Sequence, residues 1–299
     1  MPPSRRAARP CHLLFRLMAA ASLLAIGSGA GAGTPAEYDI VIHGGTIYDG
    51  SEARPFVGDV ALAGDRIAYV GPRAPGKGAR IIDAKGMIVT PGFIDAHTHA
   101  DVFIRSADPA QRVNAAWLDQ GVSTVMIGVD GGGTPDVAED ARTLEASGIG
   151  TNAVPFVGFG AVRQRVLGDD ARAPDGAELA RMKALVAKAM CEGATGLSAG
   201  LFYAPQSFAK TEEVIAVARE AAVRGGLYDT HQRDESSYSI GLLGSVDEVL
   251  RIGREAGMPV HFAHIKALGV DVQGEAAAVI ARIDKARAAG QDVLSLIHI

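Results

Sequence analysis

The chain has 299 residues, 48% hydrophobic, 21% charged and 5% aromatic, and 29 Lys plus Arg against 34 Asp plus Glu leave a net charge of −5. These values exclude a disordered chain, a collagen-like repeat and a multi-span membrane protein, and the acidic balance lacks the footprint of a nucleic-acid binder. The length allows one large α/β domain or two smaller ones, and Cys11 and Cys191 alone cannot build a disulfide framework, so the core must hold the fold.

The first element in chain order is an export signal over 1–32. Arg5, Arg6, Arg9 and Arg16 precede an apolar run over 17–26, and small residues follow as far as Ala30-Gly31-Ala32. A basic start, a short apolar centre and a small-residue cleavage site describe a secretory signal peptide. The apolar run is too short to span a bilayer. The expected location is therefore outside the cytoplasm, periplasmic or secreted, with no membrane contact once the signal is cleaved.

From 37 to 90 the pattern has period two. Short strands are expected at 39–42, 57–63, 66–70 and 80–82, with Gly64-Asp65 as a two-residue hairpin turn. Past Pro91 the rhythm changes to short apolar runs alternating with helical stretches, the signature of βα units on a parallel sheet. Strands are expected at 93–97, 123–127, 153–157, 195–198, 227–231 and 259–264. Helices are expected at 110–120, 135–147, 176–192, 211–224, 245–256 and 274–289. That makes about six βα units over 91–293, where a closed TIM-type barrel has eight. The expected fold class is α/β: an incomplete TIM-type barrel behind a small N-terminal β unit, with a seventh strand due to begin at 290–293.

The sharpest local signal is Thr90-Pro91-Gly92-Phe93-Ile94-Asp95-Ala96-His97-Thr98-His99. Side chains alternate along a strand, so His97 and His99 point the same way and form a half-site for a borderline metal such as zinc. His231 ends the fifth expected strand and His264 the sixth. Active sites of parallel barrels collect at the C-terminal ends of strands, and four imidazoles at one mouth point to metal binding. His261 has the opposite parity to His264 and is expected to face the helix layer. His12, His43 and His298 carry no site role, and Cys191 reads as a small buried hydrophobe of its helix.

These features resemble the amidohydrolase superfamily and, within it, the N-acyl-D-amino-acid deacylases (the D-aminoacylases). The superfamily resemblance rests on Tyr38-Asp39-Ile40-Val41-Ile42-His43-Gly44-Gly45-Thr46-Ile47-Tyr48-Asp49-Gly50 and on the His97-Thr98-His99 segment. The closer one rests on Gly196-Leu197-Ser198-Ala199-Gly200-Leu201-Phe202-Tyr203-Ala204-Pro205, on Thr230-His231-Gln232-Arg233-Asp234-Glu235 and on His264-Ile265-Lys266. The resemblance implies a barrel carrying one or two zinc ions, with a small β-sandwich built from both chain ends. It implies that His97 and His99 hold one metal position and His231 and His264 the other. Lys266 then engages the carboxylate of a small-molecule N-acyl amino acid. Arg233 stands beside it on the substrate side or, with Asp234 and Glu235, orients the neighbouring ligand; ordinary surface charge is the alternative.

The sequence departs from the deacylase pattern in two places that matter. Where these deacylases often carry a bridging cysteine after the second strand, this chain has Asp130, which either ligates zinc or caps the Gly-rich loop 128–133. The fourth strand lacks the lysine that many amidohydrolases carboxylate. The resemblance also implies an aspartate at the end of strand eight as general base; no residue of this sequence is assigned that role, and 294–299, unlike the family's continuation, read as a non-native tail. The implied reaction is hydrolysis of N-acyl-D-amino acids by zinc-activated water. The alternatives are a cyclic-amide hydrolase, an isoaspartyl-type dipeptidase, or a fragment that binds metal without turnover.

Overall fold

The computed structural model describes residues 37–296. The export signal expected over 1–32 and the last three residues of the expected tail lie outside the described residues. The chain divides into two compact units, the division falling between Gly92 and Phe93 in the sequence.

The first unit is one mixed sheet of five strands: β1 (Glu37–Ile47), β2 (Phe56–Ala63), β3 (Arg66–Gly71), β4 (Lys77–Asp83) and β5 (Ile88–Val89). β2 pairs antiparallel with β1 and β3, while β4 and β5 lie parallel to β1. Ala63 pairs with Arg66 across the expected two-residue turn, which needs the positive φ of +58° that Gly64 supplies. Tyr38, Val41 and Ala61 form its small core. Among the described residues it is a single sheet rather than two stacked layers. His43 has a structural partner here, with Nδ1 2.9 Å from Asp59 Oδ1.

The second unit alternates strand and helix. Its elements are β6 (Phe93–Asp95), α1 (Asp101–Ile104), α2 (Pro109–Arg112), α3 (Ala115–Leu118), β7 (Val122–Ile127), α4 (Val137–Ser147), β8 (Asn152–Pro155), β9 (Val157–Gly158), α5 (Phe159–Leu167), α6 (Gly176–Cys191) and β10 (Gly196–Gly200). They continue as α7 (Thr211–Ala222), β11 (Leu227–His231), α8 (Leu242–Ala256), β12 (Val260–Ala263), α9 (Ala276–Ala288) and β13 (Val293–Leu296). All pairings are parallel and follow chain order: β6-β7-β8 in one sheet, β9-β10-β11-β12-β13 in the next. The third expected strand is split at Phe156, so that β8 pairs with β7 while β9 pairs with β10. β13 forms the expected seventh strand and takes in Leu294, Ser295 and Leu296 of the segment set apart as a tail.

The central strands are buried on both faces, as parallel strands under helices are. Val157, Leu197, Tyr228, Phe262 and Val293 pack with Val186, Val214 and Val249 of the covering helices. α6 starts with a capping box, Asp175 accepting from the Glu178 amide and Glu178 from the Asp175 amide. The helix expected over 110–120 is broken in two, because Asn114 adopts a left-handed φ of 58° and donates its amide to Thr151 Oγ1 at 3.1 Å. Cys191 is exposed at the last residue of α6, not buried as expected.

Candidate metal centre

The site collects where β6, β7, β11 and β12 end. β6 stops at Asp95, and Thr98 pins the segment after it by donating Oγ1–H to Met126 O on β7 at 2.7 Å. His97 is buried there, whereas the His99 side chain is 70% exposed. Their rings stand 5.8 Å apart, and each presents Nε2 at 3.5 Å to one oxygen of Asp130: His97 to Oδ1, His99 to Oδ2.

Asp130 is carried on the loop after β7, itself at a left-handed φ of 53°. Ser198 of β10 clasps this loop, donating Oγ–H to Gly128 O at 2.6 Å and accepting from Gly131 N at 3.1 Å. Gln206 holds it from the other side, its Nε2–H donating to Asp130 O at 2.8 Å and its Oε1 accepting from Gly200 N at 2.8 Å. A Cβ on Gly200 would come within 2.6 Å of the Asp130 carbonyl, so the close approach of strand and loop requires glycine. Strand four thus supplies a serine that shapes the loop and sets the place of Asp130.

The remaining imidazoles come from β11 and β12. His231 ends β11, with Nδ1 3.3 Å from Tyr203 OH and its ring 4.6 Å from that of His264. His264 follows β12 at a positive φ of 32°, a turn that carries its side chain to the site. One ligand atom from each of His97, Asp130 and His264 falls within 4.8 Å of the others. This cluster takes one histidine from each of the two expected pairs, His97 from the first and His264 from the second. Oδ1 of Asp130 is buried and accepts no hydrogen bond among the described residues. A buried carboxylate oxygen in that state is what a cation satisfies, and imidazole nitrogen with carboxylate oxygen is a donor set that suits zinc.

Charge is arranged around these ligands. Glu235 is buried, with Oε1 3.2 Å from His264 Nδ1 and Oε2 paired to Lys266 Nζ at 2.6 Å. Burial alone would raise its pKa, but the bonds to His264 and Lys266 prevail and hold it below the usual range. Burial lowers the pKa of His231 and prevails over the opposing pull of the Glu235 and Asp130 carboxylates. His97 is also disfavoured as a cation by burial, yet Asp229 overcomes this and its pKa is raised.

Lys266 stands at the rim, half-exposed and next to His264 Nδ1 at 2.9 Å. Arg233 does not join the cluster. It spends four donors on Glu248 Oε1 and Oε2 and on the carbonyls of Ser207 and Ala209, so it ties α8 to the 206–209 turn. Asp234 likewise accepts from Ser236 N, Ser239 N and Gly241 N and shapes the loop after β11.

Sequence reasoning misplaced His261 and passed over Asp229. His261 does not face the helix layer; its Nδ1 lies 2.7 Å from Asp229 Oδ1, and Asp229 reaches His97 Nδ1 at 3.0 Å. The parity argument assumed a strand running on through 264, whereas β12 ends at Ala263. The signal for Asp229 was its position two residues before His231, hence on the same strand face. A cavity of about 1070 Å³ lined by Leu250, Met258 and Ala286 contains none of the cluster residues.

A parallel α/β array with imidazoles and a carboxylate converging at strand C-termini defines an α/β protein with a candidate metal site. The chain belongs to the amidohydrolase family, whose profile matches residues 80–293. It is 34% identical over 280 residues to the D-aminoacylase of Alcaligenes xylosoxydans xylosoxydans, covering 86% of this chain and 56% of that one. A solved D-aminoacylase superposes with a TM-score of 0.78 at 34% identity, over 86% of this chain and 58% of that one. An N-acyl-D-glutamate deacylase from Bordetella bronchiseptica, solved with zinc and a phosphonate mimic of the tetrahedral intermediate, gives 0.80 at 31% identity, over 88% and 59%. The chain thus spans about half the length of the relatives it matches.

Proposed function

We propose that the protein is a zinc-dependent amidohydrolase that cleaves the amide bond of N-acyl-D-amino acids to a carboxylate and a free D-amino acid. The observation that carries this reading is the convergence of His97, Asp130 and His264, whose ligand atoms fall within 4.8 Å at the strand ends. The deacylases it is similar to supply the substrate class. The chain-ordered parallel array supports a TIM-type barrel, with the sheet over 37–92 as one part of an accompanying β-sandwich.

In this reading His97, Asp130 and His264 hold one ion, and His99 and His231 complete that position or hold a second. When bound, zinc acidifies water and polarises an amide carbonyl. Glu235 steadies His264 and keeps Lys266 at the rim, where its ammonium group meets the substrate's α-carboxylate and orients it. Arg233, engaged with Glu248, takes no substrate role. No described residue is assigned as the general base.

The test is metal content together with a substrate panel of N-acetyl-D-amino acids, their L-enantiomers, cyclic imides and isoaspartyl dipeptides. Zinc that co-purifies, and D-amino acid release abolished by chelation, are expected. Turnover of the imides or dipeptides instead, or a protein that takes up no zinc, overturns the reading. Export is proposed on the basic and apolar pattern over 1–32. Mass spectrometry of the exported fraction should find a mature terminus near residue 33; an intact chain confined to the cytoplasm refutes it.

A further inference from the structure

One fully buried carboxylate ties together three segments that meet at the metal centre. Asp229 of β11 accepts from Nδ1 of His97, at 3.0 Å to Oδ2 and 3.2 Å to Oδ1, and from Nδ1 of His261 on β12, at 2.7 Å to Oδ1. A carboxylate so deeply buried is retained only with partners, and here both are imidazole N–H groups. The two ring nitrogens of a histidine are coupled: the one that donates a hydrogen bond fixes the proton, and the other presents its lone pair. Because Nδ1 of His97 donates to Asp229, Nε2 is the nitrogen aimed at Asp130, 3.5 Å away. His261 reaches the same carboxylate from the neighbouring strand and stops it from rotating off His97.

We propose that Asp229 and His261 are a positioning pair for the metal centre. His261 orients the Asp229 carboxylate, and Asp229 sets the ring orientation and tautomer of His97 so that Nε2 faces the ion. The inference rests on the reading of His97 as a metal ligand. It concerns how tightly and in what geometry the ion is held, and it assigns neither residue a contact with substrate. Carboxylate partners of ligating imidazoles characteristically change metal affinity ten- to a hundred-fold when removed.

The experiment compares the full chain with D229N, H261L and H261N. It measures zinc affinity by chelator competition and coordination by the visible spectrum of the cobalt(II)-substituted protein, with thermal melting of each metal-free protein as the folding control. D229N should lose about ten- to a hundred-fold in zinc affinity and change the cobalt spectrum, with the metal-free fold retained. H261L should weaken zinc binding as well, while H261N, whose side-chain amide can donate as the imidazole Nδ1 does, restores it. Should D229N fail to fold, the contrast between H261N and H261L decides. Parental zinc affinity and cobalt spectrum in D229N, or identical zinc affinity in H261L and H261N, overturns the proposal. If the parent chain itself takes up no zinc, the functional reading falls first.

Discussion

Ser198 offers a direct check on how the Asp130 loop is held. Its hydroxyl is fully buried, donates to Gly128 O at 2.6 Å and accepts from Gly131 N at 3.1 Å. In S198A the Gly128 carbonyl keeps its bond from Gly133 N at 3.1 Å, so that side loses one net hydrogen bond, about 1 kcal/mol. The Gly131 amide has no second acceptor in the clasp, and a buried N–H left without one costs about 1–3 kcal/mol. The two effects together predict a destabilisation of about 2–4 kcal/mol, a large share of the ~5–15 kcal/mol by which domains are ordinarily stable. The assay is urea unfolding of parent and S198A, followed by zinc affinity. The midpoint should fall with the slope unchanged, and zinc affinity should fall with it as Asp130 loses its anchored backbone. Stability within about 0.5 kcal/mol of the parent, the range of ordinary surface changes, would refute the clasp.

Three further perturbations probe other parts of the architecture. Arg163 is fully buried, donating to Glu213 Oε1 at 3.2 Å and to the carbonyls of Asp170 and Arg172 at 2.8 and 2.7 Å; R163A should cost about 3–5 kcal/mol by strand-unit unfolding, and R163A/E213Q should recover part of it. Asn114→Ala places an ordinary residue at φ 58° and removes the bond to Thr151, so a loss of about 1–2 kcal/mol is expected, with Asn114→Gly losing less because glycine tolerates that backbone. Burial would raise the pKa of Asp59, but the amides of Ala74 and Gly44 and the His43 side chain prevail and lower it. Its stabilisation of the β unit is therefore complete above the ordinary Asp value near ~3.9 and is lost as pH falls through the lowered folded value. In acid unfolding followed by NMR of this unit, D59N should flatten that dependence; an unchanged acid profile would contradict the assignment.

How much of this was legible in the sequence follows from what each signal depends on. Period two marked the strands of the first unit and the turn at Gly64-Asp65, because one face of such a sheet is solvated and a two-residue turn demands positive φ. The βα rhythm and the rule that barrel chemistry lies at strand ends picked out His97, His99, His231 and His264, since both are local properties of the chain, whereas Lys266 was marked only by the family resemblance. Other features depended on residues far apart in sequence. Strands buried on both faces read as continuous apolar runs, so Asp229 was marked only by its parity with His231, and His261 was put on the wrong side because β12 ends at Ala263 instead of running through 264. The left-handed turn at His264 is visible only in three dimensions. Arg233 pairs with Glu248 fifteen positions on, across a loop and into α8, and Asn114 breaks a helix because Thr151 is there to receive its amide. The sequence by itself determined the residue types and the order of elements that make a metal centre available. Tertiary structure decided which of those side chains meet, because that depends on the packing of strands and loops distant along the chain.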